Sequence, residues 1–147
     1  IDSATYSINV EAGSIVNNLG GSHTSNLVLS NPASNTALAA SDYNIASWTM
    51  TALATAIALA SITTGVYTDF TLNATGLGNI SKTGITKFGN VFEFDISGSP
   101  TWASGEAVQI KPQMADTAGT GSDPKLVVVH SSAATATSGL LMMQMVQ

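Results

Sequence analysis

Two acidic side chains beside a glycine-rich loop are the first residues of this chain whose types and spacing suggest chemistry. Asp116 and Asp123 flank the small residues 118–122. Carboxylates and backbone carbonyls can together hold Ca²⁺, but this spacing matches no EF-hand loop. Aspartates in turns more commonly accept hydrogen bonds from nearby backbone amides. We therefore expect an ordinary turn and no cofactor, with a structural calcium ion at Asp116 and Asp123 as the weaker alternative.

The remaining titratable residues give no pattern that is specific to an enzyme. Glu93 and Asp95 lie two apart on a predicted strand, whereas glycosidases place two carboxylates about 5–10 Å apart across a cleft. His23 and His130 are the only histidines, and the chain has no GxSxG nucleophile motif. Lys125 follows a proline and opens a strand, which does not fit a phosphate-binding loop. We predict that the protein is not an enzyme.

Aromatic residues offer a different chemistry, because a sugar ring can bury its apolar face against an exposed aromatic ring. Tyr43, Trp48 and Trp102 lie near predicted turns and could form such a platform. The alternative is that both tryptophans are core or corner residues of the fold. The sequence leaves these two interpretations open.

Charge and composition exclude several classes of protein. The chain has 147 residues, four lysines, no arginine, nine acidic residues and a net charge of −5, so we expect no nucleic-acid partner. The absence of cysteine rules out disulfides and thiolate zinc sites. Eighteen serines and eighteen threonines are typical of β-rich virion or extracellular proteins. The longest apolar-leaning run, 50–62, is shorter than the roughly 20 residues that span a bilayer, so we expect no membrane partner.

Hydrophobic alternation with a period of two recurs along the chain and predicts β-strands. Pro112 marks its segment as an edge strand because proline cannot donate to a ladder. The last segment does not alternate, which predicts a strand that is covered on both faces, either because it is central in the sandwich or because a partner covers it. The segments are YSINVEA (6–12), VYTDFTL (66–72), VFEFDI (91–96), VQIKPQM (108–114) and KLVVVH (125–130).

Short strands separated by glycine-, asparagine- and serine-rich turns predict an all-β protein, an antiparallel β-sandwich or jelly roll. We expect at most one short helix, at 73–80, capped by Asn73 or Thr75. The predicted sandwich domain covers residues 1–130.

The C-terminal segment differs from the rest. Residues 131–139 form a linker of small residues, and the segment after it is apolar. An apolar segment of this kind is expected to pack on its own domain or on another chain, and methionine adapts well to such contacts. The apolar tail comprises Leu140, Leu141, Met142, Met143, Met145 and Val146 within domain 131–147.

Three phrases of the sequence resemble one known family. They are LSNPASNTALAASDYN (29–44), DFTLNATGLGNISKTGITKFG (69–89) and DTAGTGSDPKLVV (116–128), and they resemble the C-terminal part of DNRLRE-type jelly-roll domains, which occur in secreted proteins and tailed-phage virion proteins. The resemblance implies a β-sandwich related in shape to carbohydrate-binding modules, without catalytic residues. Two features depart from it: strands expected before Tyr6 are missing, and Asn90 and Val91 replace an expected arginine.

These observations lead to two functional hypotheses. The first is a non-enzymatic structural protein of a phage virion or an extracellular surface, such as a capsid decoration, fibre or tail appendage. It would form a homo-oligomer, or bind other virion or surface proteins, through sandwich edges and the tail. The alternative is a carbohydrate-binding or adhesion module that binds a cell-surface glycan. Because the chain starts at Ile1 without a signal-peptide pattern, we expect a processed chain or the ordered part of a longer one.

Overall fold

The computed structural model describes residues 1–98, 100–114 and 118–132, and these residues form an antiparallel β-sandwich. The predicted all-β class is therefore confirmed. The strands are β1 (Ser3–Asn9), β2 (Val16–Asn17), β3 (Thr24–Leu29), β4 (Ile57–Ala58), β5 (Tyr67–Thr71), β6 (Phe88–Phe92), β7 (Val108–Gln109) and β8 (Lys125–Val129). Two short α-helices, one more than expected, are α1 (Ala74–Gly78) and α2 (Glu93–Ser97). Single 3₁₀ turns cover Ala40–Tyr43, Ile45–Ser47 and Leu59–Ser61.

Two three-stranded antiparallel sheets contain six of the eight strands in the described ranges. In the first sheet β1 lies between β5 and β8, and in the second β3 lies between β4 and β6. The short strands β2 and β7 pair with each other. Strand β1 is paired with five residues on each side, whereas β4 pairs with only Thr24 and Ser25 of β3.

The hydrophobic core lies between the two sheets. Ile8 and Phe70 contribute from the first sheet and Leu27 from the second, and each is 0% exposed. Tyr6 bridges the layers, because its ring centroid lies 5.6 Å from that of Phe88 on β6. The alternation predicted for β1 is confirmed on this face, since Tyr6 and Ile8 both pack in the core cluster.

The predicted helix near 73–80 is present as α1. The Asn73 side chain accepts a hydrogen bond from the Gly76 amide at 2.9 Å, which satisfies one of the amides that a helix leaves free at its start. Of the two residues proposed as caps, Asn73 holds this position. In the part of the chain that the structure describes, no helix is long and apolar enough to cross a membrane.

The strand predicted over 91–96 is wrong beyond Phe92, where α2 begins. The Asp95 carboxylate turns back and accepts the Phe92 N–H at 3.0 Å. The Glu93 carboxylate reaches β3 and accepts the Thr24 N–H at 2.7 Å. Acidic side chains near a helix N-terminus are favourable because they meet its free N–H groups, and this local bonding outweighs the strand-like alternation.

Of the two arrangements predicted for residues 126–129, a central position in the sandwich is wrong, and cover by a partner chain stays a prediction. In the described part of the chain β8 pairs only with β1, so it is an edge strand. Val127 and Val129 are each 53% exposed, and Leu126 is 37% exposed. Continuous apolar sequence is typical of a strand covered on both faces, but here the outward face of β8 has no cover within the described residues.

Two further strand predictions hold only in part. Strand β5 begins at Tyr67, so Val66 lies outside it and is 51% exposed. Strand β7 is limited to two residues. Pro112 beyond it forms an isolated antiparallel bridge with Val10, which agrees with the prediction that this proline cannot continue a ladder.

Candidate functional site

A groove of about 290 Å³ beside β6 brings together two of the three predicted platform residues, Tyr43 and Trp48. The two residues lie in or next to the 3₁₀ turns that follow β3. Tyr43 is 71% exposed, and Trp48 is partly buried. Apolar side chains from three regions complete the lining: Leu38, Phe88, Phe92, Ile110 and Met114. The groove is therefore mostly apolar and open to solvent.

Trp48 is held in place by two contacts. Its indole N–H donates to the Asp42 carbonyl oxygen at 3.2 Å. Its ring lies so close to Gly89 on β6 that a Cβ at this glycine would come within 2.9 Å of Trp48 Cη2. Only glycine leaves room for the indole ring against the strand backbone. The ring is thus positioned before any ligand arrives.

The loop that carries Tyr43 is fixed by a buried carboxylate. Asp42 accepts backbone N–H groups from Ala33 at 2.9 Å and from Ala39 at 2.8 Å. These hydrogen bonds lower the pKa of Asp42 below its ordinary value, because they stabilise the charged form. The carboxylate is therefore ionised at neutral pH and is already engaged in holding the loop.

Trp102 does not line this groove. Its ring meets Phe94 edge to face at 5.3 Å, and Phe94 stacks on Phe92 at the same centroid distance. Trp102 is 42% exposed, and it forms the outer end of an aromatic row that reaches the groove only through Phe92. The structure therefore separates Trp102 from the other two predicted platform residues.

Glu93 and Asp95 do not form a pair of free carboxylates. Glu93 binds His23 and Thr24, and Asp95 binds the backbone of its own helix. Sequence reasoning missed the His23–Glu93 pair because 70 residues separate its members, and no local pattern links them.

The His23 ring has an acceptor at each nitrogen. Nδ1 lies 2.6 Å from the Glu93 carboxylate, and Nε2 lies 2.7 Å from the Gly20 carbonyl oxygen. Two acceptors favour the doubly protonated imidazolium. The bond to Glu93 raises the pKa of His23, burial opposes this shift, and the Gly20 carbonyl supports it. For Glu93, burial acts to raise the pKa, but hydrogen bonds from Thr24 and His23 outweigh it and lower the pKa.

We expect stability to depend on pH through this pair. The raised pKa of His23 stabilises the folded protein to its full extent below about pH 6.5, the pKa of histidine in the unfolded chain. This stabilisation is lost as pH rises through the pKa of His23 in the folded protein. The lowered Glu93 pKa adds stability above about pH 4.3 that is lost in more acidic solution. Urea unfolding should therefore show the pair contributing most at about pH 5–6. The His23→Gln variant should lose less stability than the wild type as pH rises above about 6.5; equal losses in both proteins would contradict the role of His23.

The predicted metal site is only partly within the described residues, because Asp116 lies outside them. Asp123 lies at the turn before β8, where the Tyr67 hydroxyl reaches the carbonyl oxygens of Gly121 and Asp123 at 3.1 and 3.0 Å. Within the described ranges no three His, Cys, Asp or Glu side chains gather as a metal site. The calcium hypothesis stays a prediction, as does the assembly role of the tail residues 140–146, which also lie outside the described ranges.

Comparison with known proteins identifies no relative of this chain. No family model matches the chain, and neither the curated proteins nor the solved structures give a significant match. The resemblance to DNRLRE-type domains therefore stays a prediction from three phrases of sequence. The described residues offer two features that could serve a function, the groove and the exposed edge of β8.

Proposed function

We propose that this protein is a non-enzymatic structural protein that joins subunits of a phage virion or an extracellular surface through the edge of β8 and the C-terminal tail. The observation that carries the proposal is the exposed apolar edge strand. Monomeric proteins usually protect such edges with charge, proline or a covering element, because an open edge can pair with another chain. Strand β8 contains no proline and only one charged residue, Lys125.

Lys125 does not protect the free edge. Its ammonium group lies 3.7 Å from the centroid of the Tyr67 ring on β5, the strand on the far side of β1. The side chain thus extends across the sheet and away from the open edge. The charge gains a cation–π contact there and leaves Val127 and Val129 as the outward surface of β8.

The tail is a suitable partner for this edge. Residues 140–146 contain six apolar side chains and no charge, and burying each large apolar side chain is worth about 1.5–3 kcal/mol. A strand added to β8 would gain backbone hydrogen bonds together with this burial. We propose that subunits join in this way, with the tail of one chain against β8 of a neighbour. The scarcity of charge and the abundance of hydroxyl groups support placement on a virion or outside the cell.

Solution mass measured by light scattering tests this proposal. We expect the full chain to be an oligomer and a chain that ends at Ser132 to be a monomer. Val127→Lys should also weaken assembly, because a lysine on an edge strand disfavours pairing with another strand. Thr71→Lys is the matched control, since it adds the same charge to the exposed position of β5 on the far side of the sheet. A full chain that is a single monomeric species would refute the proposal.

A carbohydrate-binding or adhesion role is the second candidate. It is favoured by one specific observation, the convergence of Tyr43 and Trp48 on one open groove. This role is compatible with assembly, because the groove lining includes no residue of β8.

A further inference from the structure

The lining of the Tyr43–Trp48 groove restricts the class of ligand that it can hold. This inference rests on the carbohydrate-binding candidate and is independent of assembly through β8. The groove volume of about 290 Å³ is at the lower end of the roughly 300–1,000 Å³ of small-molecule sites. This size suits a ligand smaller than a drug-sized molecule. One unit of a larger chain that extends into solvent would also fit, because the groove is open.

The two aromatic residues of the groove, Trp48 and Tyr43, are both suited to stacking on the ring of a ligand. Trp48 is fixed by its hydrogen bond to Asp42 and by its contact with Gly89, so little conformational entropy is lost when a ligand covers it. Tyr43 is 71% exposed, and an exposed tyrosine in a binding surface gives a large contact area with few rotatable bonds. A flat ligand with an apolar face therefore gains from both residues.

Polar groups among the lining residues require the ligand to carry hydroxyls as well. Ser30 donates to the Phe88 carbonyl oxygen at 3.0 Å, and Asn90 donates to Ser25 at 3.5 Å. Two sets of polar groups are then available to a ligand. They are the lone pairs of the Ser30 hydroxyl oxygen, and one N–H together with the carbonyl oxygen of the Asn90 side chain. A purely apolar ligand would cover these groups without satisfying them, which is unfavourable.

Charge decides between neutral and anionic ligands. Among the described residues that line the groove, Asp42 is the only one with a charged side chain. Its carboxylate already accepts two backbone N–H groups, and Lys87 nearby donates to the Pro32 carbonyl oxygen at 2.8 Å. An acidic sugar would meet a carboxylate and find no lining cation to pair with. We propose that the groove binds a neutral pyranose, stacked on Tyr43 and Trp48 with hydroxyls toward Ser30 and Asn90.

NMR of the indole N–H groups tests this proposal, because the two tryptophans give two separable signals. Methyl glucoside, methyl galactoside, methyl mannoside and N-acetylglucosamine are titrated into the full chain to millimolar concentrations, with glucuronic acid and N-acetylneuraminic acid as anionic probes. We expect at least one neutral sugar to shift the Trp48 signal and both acidic sugars to bind more weakly. Tyr43→Ala should weaken binding about tenfold.

Trp102→Phe is the matched control, because it removes the tryptophan outside the groove and should leave sugar binding unchanged. Tyr43 is largely exposed, so its variant is expected to fold, and the dispersion of the same NMR spectrum verifies this. The proposal is overturned if no neutral sugar shifts Trp48, if an acidic sugar binds better, or if Tyr43→Ala binds as the wild type does. Oligomeric state is measured separately, so failure here leaves the assembly proposal unaffected.

Discussion

Replacing Phe70 by alanine is expected to lower the free energy of unfolding by about 3–5 kcal/mol. Phe70 is 0% exposed and lies in the core cluster between the two sheets, with its ring centroid 6.2 Å from that of Tyr6. Truncation removes most of a buried ring, and the flanking strands cannot close the space because β5 is paired along its length with β1. The loss combines transfer of the ring to water with the cavity that remains.

Urea unfolding and thermal unfolding measure this loss. For a chain of this size, the melting temperature should fall by on the order of 10 °C. Phe70→Leu should lose about half as much, because it keeps part of the buried volume. Tyr43→Ala is the control and should change stability by less than about 0.5 kcal/mol, since its side chain is mostly exposed. Equal losses at positions 70 and 43 would contradict the position of the core.

The second large effect concerns two glycines in one short helix that should respond with opposite signs. Helix propensity alone favours alanine over glycine by about 1 kcal/mol at either position. At Gly78 a Cβ meets nothing within 4 Å, whereas at Gly76 it would overlap the Leu53 carbonyl oxygen and come within 3.0 Å of Leu72 Cγ. The Leu53 oxygen cannot retreat easily, because it accepts the Asn73 N–H at 2.9 Å while the Leu53 N–H is bonded to Leu27 at 2.8 Å.

We therefore expect Gly76→Ala to destabilise the protein by about 2 kcal/mol, the overpacking cost minus the gain in helix propensity. Gly78→Ala should be neutral or stabilising by up to about 1 kcal/mol. Chemical denaturation of the two variants side by side gives the difference directly. If both variants gained stability, the close approach of α1 to the Leu53 backbone would be wrong.

The edge proposed for assembly and the groove proposed for sugar binding are different surfaces, so the two proposals are compatible. Strand β8 lies at an edge of the first sheet, and the groove is built largely on β6 and the loops beside it. The two measurements that we propose, solution mass and Trp48 chemical shift, therefore report on separate properties.

The fold class and a short helix near 73–80 could be predicted from the sequence, which left Asn73 and Thr75 both open as the cap of that helix. Period-two alternation marked β1 and β5, and Asn73 or Thr75 in a short polar-glycine segment marked the start of α1. These signals are local, because strand faces and helix caps depend on residues two to four positions apart. The sequence also indicated Tyr43 and Trp48 as candidate platform residues, but it indicated Trp102 just as strongly.

The packing of distant segments sets which of these residues meet and which strands lie at a sheet edge. The Trp48 ring packs against Gly89, which is 41 residues away along the chain. The Trp102 ring instead contacts the ring of Phe94. The apolar run of β8 predicted burial, but burial depends on how many strands stand beside it, and here β1 is its single described neighbour. Glu93 lies beyond the end of β6, where its carboxylate bonds to His23 and Thr24 of a distant segment. Such long-range pairings have no local pattern, since they arise only when distant segments pack together.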